Sequence, residues 1–119
     1  ADYKAITQRF PDTREALASH MALAEFAIKS GQHPSAIHQL EQVEKHPESG
    51  YYPFALYKLG WSHYNLKHHE RAAAYLERHV KYYDAKSELE QGLTDGDLAV
   101  RESSLSDLAL FLGDGHEAE

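Results

Sequence analysis

Residues 58–76 read KLGWSHYNLKHHERAAAYL, and residues 22–40 read ALAEFAIKSGQHPSAIHQL, the same pattern placed 36 positions earlier. Each stretch gives a helix, a turn and a second helix. A leucine and a small residue stand together in the first helix, and an alanine stands near the start of the second. A pattern that recurs at a fixed interval predicts a solenoid, in which each unit buries its apolar side against its neighbours. Such a chain is expected to offer a binding surface rather than a catalytic site.

The bulk composition is that of a folded domain, and it argues against several classes of function. With 119 residues, of which 42% are hydrophobic and 26% charged, the chain has enough material for one continuous core. The formal net charge of −7 and the lack of a basic stripe argue against nucleic-acid binding. The chain contains no cysteine, so it forms no disulfide. No apolar run reaches the ~18–20 residues that a membrane-spanning helix requires.

Helix signals divide the chain into units. Apolar residues at helical spacing, with Gly31 as a stop and Pro34 at the next start, predict one helix hairpin over residues 14–46. Pro53 opens a second hairpin over residues 53–83. The other segments are read as the end of a preceding unit, an insertion, a further helix and a frayed tail, over residues 1–10, 84–97, 98–112 and 113–119. No segment alternates with a period of two, so the predicted fold class is all-α.

The opening segment also bears on the extent of the protein. Tyr3, Ile6 and Phe10 are apolar at helical spacing, which is typical of the second helix of a preceding unit. A solenoid that is cut inside a unit leaves the apolar side of its first helix without a partner. We therefore expect the chain to be a piece of a longer repeat protein.

These residues resemble the tetratricopeptide repeat family, whose unit is a helix hairpin of about 34 residues. The large–small pair of the first helix is Leu23-Ala24 in one unit and Leu59-Gly60 in the other. The small residue where the two helices cross closely is Ala36 or Ala72. The leucine that follows it is Leu40 or Leu76. The resemblance covers two full units over residues 14–83 and implies a right-handed α–α solenoid, with partial units on either side.

Two short motifs narrow the resemblance. Residues 10–13 and 57–62 are similar to bacterial envelope members of the family, which include outer-membrane assembly lipoproteins and periplasmic division-coordinating proteins. Similar chains also occur in the motility machinery of predatory and gliding bacteria. This similarity implies a location in the periplasm or cell envelope of a bacterium, with the cytoplasm as the alternative.

The family resemblance implies that the first helix of each hairpin lines a concave groove that receives a peptide or a partner helix. In the second hairpin that helix carries four aromatic side chains on one face, at Phe54, Tyr57, Trp61 and Tyr64. The corresponding residues in the first hairpin are Ala18, Met21, Glu25 and Ile28, and in the third unit Ser103, Ser106 and Leu110. Because aromatic side chains with a polar tip dominate interface hot spots, we expect this groove to bind a short apolar or helical segment. The alternative is that the aromatics pack against the third unit or the 84–97 insertion.

Nine histidines raise the question of a metal site. A helical pair of ligands needs a spacing of three or four residues, whereas His63 and His68 are five apart and no HExxH arrangement occurs. Neither Ser35 with His38 nor Ser62 beside His63 shows a nucleophile elbow. We therefore expect no metal, no cofactor and no enzymatic activity, although the histidines allow pH-sensitive binding.

Two functions follow from this reading. The first is a protein-interaction module that captures a peptide or helix of a protein partner within a larger assembly. The second is a structural unit that assembles with itself, as a homodimer through exposed terminal helices.

Overall fold

The computed structural model describes residues 14–87 and 92–117, with side chains over residues 14–86 and 92–113. These residues form five helices and no strand: α1 (Arg14–Lys29), α2 (His33–Glu44), α3 (Tyr52–Asn65), α4 (His69–Ser87) and α5 (Asp95–Glu117). Each helix packs against the next one along the chain. This arrangement confirms the predicted all-α solenoid of helix hairpins. Across the described residues, no helix is long and apolar enough to cross a membrane.

The two hairpins reverse direction by the same backbone geometry. Gly31 and Lys67, 36 positions apart, both have a positive φ, of 73° and 66°. After α1 the amide of Gln32 donates to the carbonyl of Ala27 at 2.8 Å, and after α3 His68 donates to His63 at 2.9 Å. A hydrogen bond of this kind ends a helix when the residue just before the donor has a left-handed backbone conformation. The second turn therefore has the shape of the first, although it lacks the glycine.

Small residues set the distance between the two helices of a hairpin. A Cβ added to Gly60 on α3 would lie 2.8 Å from Leu76 Cδ2 on α4. Ala36 and Ala72, the matching alanines of the second helices, are both fully buried. Because the two helices touch at these points, any larger side chain would push them apart.

Consecutive units are joined on the α2 and α4 side by a polar cluster. Arg78 of α4 donates to the carboxylate of Glu44 and, at 3.1 Å, to the Tyr52 hydroxyl. The Tyr75 hydroxyl also donates to Glu44, at 3.3 Å. Burial and the adjacent Glu44 raise the pKa of Tyr75 to about 12. This cluster shows that Glu44 faces the second helix of the following unit.

The third unit begins with α5, which lies on α4. Arg101 Nε contacts Asp84 Oδ1 at 2.8 Å, and Lys86 Nζ contacts Asp97 Oδ2 at 2.8 Å. The helix bounds differ here from the sequence expectation. Four residues of the predicted 84–97 insertion belong to α4, and α5 runs through most of the predicted 113–119 tail. The reason is that α5 carries apolar residues on several sides, so its periodicity does not mark its ends. The predicted helix over residues 1–10 lies outside the described residues.

The first helices of the three units occupy equivalent positions. Shifting α1 by 36 residues gives residues 50–65, which contain α3, and shifting α3 by 49 residues gives residues 101–114, which lie within α5. Ser19, Ala55 and Ser104 correspond under these shifts, and all three are buried. Small residues therefore recur at one packing position in every first helix, which fixes the register of α5 relative to α3.

Candidate functional site

The candidate site is the surface that α1, α3 and α5 share, called here the α1/α3/α5 face. Lys58 of α3 forms an ion pair with Glu25 of α1. On the other side of α3, the Tyr57 hydroxyl donates to Asp107 Oδ2 of α5 at 2.8 Å. Burial, followed by this contact with Asp107, raises the pKa of Tyr57. These two contacts link α3 to α1 on one side and to α5 on the other.

The four aromatics of α3 have different environments. Phe54 is 54% exposed, whereas Tyr57, Trp61 and Tyr64 are partly buried against the cluster that contains Phe111 of α5. The Trp61 ring meets Phe111 edge-on, with centroids 4.8 Å apart, and the Tyr64 ring stacks on Phe111 at 4.3 Å. Three of the four predicted site residues thus contact the third unit, and Phe54 projects from the surface.

The corresponding residues of α1 and α5 follow a similar division. Met21 is partly buried against the first core cluster, which includes Leu17 and Leu40, and Ile28 is also partly buried. Glu25 lies on the α1/α3/α5 face through its ion pair with Lys58. On α5 the exposed side chains are those of Ser103, Ser106 and Leu110.

A surface pocket adjoins the exposed ring of Phe54. It lies between the start of α1 and the connection from α2 to α3, and its lining consists of Arg14, Leu17, Glu48, Ser49, Gly50, Tyr51 and Phe54. The Ser49 hydroxyl is buried and has no hydrogen-bond partner among the described residues. An apolar ring at the rim of a pocket that contains charged and hydroxyl groups is suited to anchor a peptide side chain.

Sequence reasoning missed three residues of this region. Lys58 lies one helical turn after Phe54, so helical spacing could have predicted that it lies on the same face. Asp107 and Phe111 lie on a helix whose periodicity is weak, and no local signal places them opposite Tyr57 and Trp61.

Beneath the aromatics, His79 of α4 connects α3, α4 and α5. It is almost completely buried, its Nδ1 is hydrogen-bonded to the Ser104 hydroxyl, and its ring centroid lies 5.3 Å from that of Tyr57. Burial lowers the pKa of His79 to about 4. The imidazole is therefore neutral in the folded protein near neutral pH, and protonation would leave a charge inside the packing of α5 on α4.

The depressed pKa of His79 predicts that mild acid destabilises the fold. Since the unfolded chain binds this proton with an ordinary pKa and the folded chain does not, stability is retained above that ordinary value and falls as the pH approaches 4. We expect the free energy of unfolding to be about 2 kcal/mol lower at pH 5 than at pH 7 through His79. Urea unfolding followed by circular dichroism at several pH values measures this difference. The His79→Gln variant should lose most of it, and an equally steep pH dependence in that variant would contradict the assignment.

A second histidine pair lies at the end of α3. His63 Nδ1 and His68 Nδ1 are 3.0 Å apart, and the His63 ring stacks on Tyr75 with centroids 5.4 Å apart. Burial lowers the pKa of His63, and the neighbouring His68 and Arg71 lower it further. Over the described part of the chain, no three or more histidine, aspartate or glutamate side chains are grouped so that they could hold a metal ion.

Comparisons with known proteins give one match. Residues 54–92, which contain α3 from Phe54 onward and all of α4, match the family model described as tetratricopeptide repeat. No curated protein and no solved structure matches the chain at a significant level. Repeats of this family are non-catalytic and generally mediate protein–protein interactions. The matched hairpin carries the glycine–leucine crossing and the aromatic helix described above, and residues 54–92 are similar to a tetratricopeptide repeat.

Proposed function

We propose that this chain is a non-enzymatic interaction module and that its α1/α3/α5 face binds a short apolar or helical segment of a partner protein. The observation that carries the proposal is Phe54, a large apolar side chain that is 54% exposed beside a pocket and in line with Trp61 on α3. A half-exposed phenylalanine adds less to stability than a buried one, whereas aromatic anchors often supply a large share of binding energy.

The surroundings of Phe54 support a partly apolar ligand. Trp61, two helical turns further along α3, presents its remaining exposed surface on the same side. The Glu25–Lys58 ion pair borders this strip towards α1, and the Tyr57–Asp107 hydrogen bond borders it towards α5. Because both polar borders are already paired within the chain, binding is expected to depend mainly on apolar contact and only weakly on salt.

The experiment selects ligands from a phage-displayed library of random peptides on the wild-type protein and then measures their affinity for two variants. Phe54→Ser should weaken binding at least about 30-fold, the effect of losing one hot-spot anchor. Phe26→Ser is the matched control, because Phe26 is 72% exposed on α1 and corresponds to Ser62 rather than to a residue of the α1/α3/α5 face. It should change the affinity less than twofold.

Two results would contradict the proposal. One is a library that yields no peptide whose binding depends on Phe54. The other is an equal loss of affinity in Phe26→Ser, which would indicate general stickiness of exposed rings. The alternative function, self-assembly through the terminal helices, predicts a dimer that does not bind the peptides. Size-exclusion chromatography with light scattering at micromolar concentration distinguishes that case.

A further inference from the structure

The two interfaces between consecutive units are equivalent in position but differ in chemistry. In the α2/α3 interface, where α2 packs on α3, Val43 and Ala55 are fully buried in one apolar cluster. In the α4/α5 interface, where α4 packs on α5, the equivalent residues are His79, 36 positions after Val43, and Ser104, 49 positions after Ala55. A buried titratable side chain therefore occupies one interface at the position where the other has a valine.

The described neighbours of His79 offer a hydrogen bond and ring contacts but no ion pair. On α5 its partner is the Ser104 hydroxyl, and its ring centroid lies 5.3 Å from that of Tyr57 on α3 and 5.1 Å from that of Tyr83 on α4. The carboxylate of Asp107 on α5 accepts from the Tyr57 hydroxyl instead. Burial alone lowers the pKa of His79, and no carboxylate of the described residues raises it. A proton on His79 therefore places an uncompensated charge in the closed interface.

Two ion pairs cross the α4/α5 interface near the start of α5. Lys86 pairs with Asp97, and Arg101 pairs with Asp84. The hydrogen bond from Lys86 lowers the pKa of Asp97, so this pair stays charged at pH 5. The start of α5 therefore keeps its link to the end of α4 at a pH at which His79 takes up a proton from solution.

We propose that mild acid opens the α4/α5 interface at His79, while the two complete hairpins stay folded. The opening uncovers the sides of Trp61 and Tyr64 that contact Phe111, so the aromatic surface of α3 becomes larger in acid. The α2/α3 interface has Val43 at the equivalent position and stays closed. The device acts between α4 and α5, so it does not depend on what lies against the other sides of α5.

The size of the effect follows from the proton that His79 takes up. In the closed interface the pKa of His79 is about 4, whereas in the open one the imidazole regains the ordinary value of 6.5. The open form therefore binds the proton more tightly, and each step down in pH between these values favours it. We expect the ratio of open to closed molecules to rise about 20-fold from pH 7 to pH 5.

Hydrogen exchange followed by mass spectrometry tests the proposal on the full chain. An isolated helix is barely stable in water, so the amides of α5 exchange when the interface opens. After correction for the intrinsic exchange rate at each pH, the protection of residues 98–112 should fall about 20-fold from pH 7 to pH 5. At pH 5 these amides should also be at least about tenfold less protected than those of α1 and α2, which exchange when the hairpins unfold.

Two variants remove the titration and keep the interface filled. His79→Gln retains a hydrogen-bonding side chain beside Ser104. The double variant His79→Val with Ser104→Ala gives the α4/α5 interface the residue pair of the α2/α3 interface. In both variants the protection of α5 should change less than about threefold between pH 7 and pH 5. Circular dichroism at pH 7 verifies that each variant is folded.

His63→Gln is the matched control for these variants. His63 is also a buried histidine whose pKa burial lowers, but its ring packs on Tyr75 and His68 within the second hairpin. Removing it should therefore leave the 20-fold change in the protection of α5 in place.

Three outcomes would overturn the inference. The first is that α5 is as well protected at pH 5 as α1 and α2, which would mean that the chain opens only as a whole. The second is a full pH response in the two His79 variants. The third is the loss of the response in His63→Gln, which would assign the proton to the other histidine pair. None of these results involves Phe54, so this inference and the proposed function can fail separately.

Discussion

Replacing Phe111 with alanine is expected to lower the free energy of unfolding by about 4 kcal/mol. Phe111 is fully buried, and its ring meets both Trp61 and Tyr64 of α3. The change removes the largest fully buried side chain and leaves a cavity between α3, α4 and α5. Because a solenoid is held together by contacts between neighbours, α5 should detach before the two complete hairpins unfold.

The single tryptophan of the chain makes this detachment measurable. In urea, the fluorescence of Trp61 in the Phe111→Ala variant should shift to the red at a lower concentration than the loss of helical circular dichroism. Leu110→Ala, one residue earlier and exposed, is the control and should change stability by less than about 0.5 kcal/mol. Coincident transitions in the variant, at the midpoint of the wild type, would show that α5 does not depend on this ring.

Replacing Gly60 with valine is expected to cost about 3 kcal/mol. Even the first carbon of a side chain would lie 2.8 Å from Leu76 Cδ2 and 3.4 Å from the Ala72 carbonyl oxygen. Leu76 is itself fully buried in a closely packed core, so a valine side chain at Gly60 must displace Leu76 or move α3 away from α4. Urea unfolding measured by circular dichroism gives the loss directly.

A second glycine within a helix supplies the control for Gly60. Gly113 lies in α5, and a Cβ at this position meets no atom within 4 Å. Gly113→Val should leave the free energy of unfolding unchanged or raise it by a few tenths of a kcal/mol, because valine has a higher helix propensity than glycine. If both substitutions lowered the free energy of unfolding by the same amount, the crossing of α3 and α4 would not explain the loss at Gly60.

The two complete hairpins were predictable because their signals are local. Gly31 and Pro34 separate α1 from α2 within the printed sequence, and the paired small residues fix where two neighbouring helices cross. Lys67 shows that the repeat is stronger evidence than any single residue. It adopts the left-handed conformation of Gly31 without being a glycine, because the flanking helices impose the same turn.

The bounds of α4 and α5 were harder to predict. The apolar pattern of α4 weakens after Tyr83, yet the helix continues to Ser87, and Lys86 near its end forms an ion pair with Asp97 of α5. On α5 the apolar residues lie on two sides, one that packs against α3 and α4 and one on which Leu105 and Leu112 are exposed. Because apolar residues lie on two sides, the helix has little contrast between an apolar and a polar side. The pattern therefore indicates a helix without indicating where it begins and ends.

The candidate site was predictable as a set of residues but not as an arrangement. Helical spacing places Phe54, Tyr57, Trp61 and Tyr64 on one broad side of α3 and cannot tell which part of that side another helix will cover. Tyr57 is bound to Asp107, 50 positions later, and Tyr64 stacks on Phe111, 47 positions later. Such distant pairs leave no mark in the local pattern.

The sequence by itself determined that the chain is a stack of helix hairpins. Turn residues and small residues at helical crossings act between neighbours in the chain, so their spacing carries that information. Only the tertiary structure decided that Phe54 stays exposed while three aromatics contact α5, and that no described helix covers the second apolar side of α5. Whether a side chain is buried depends on which helix packs against it. That packing is determined by residues that lie far apart in the chain.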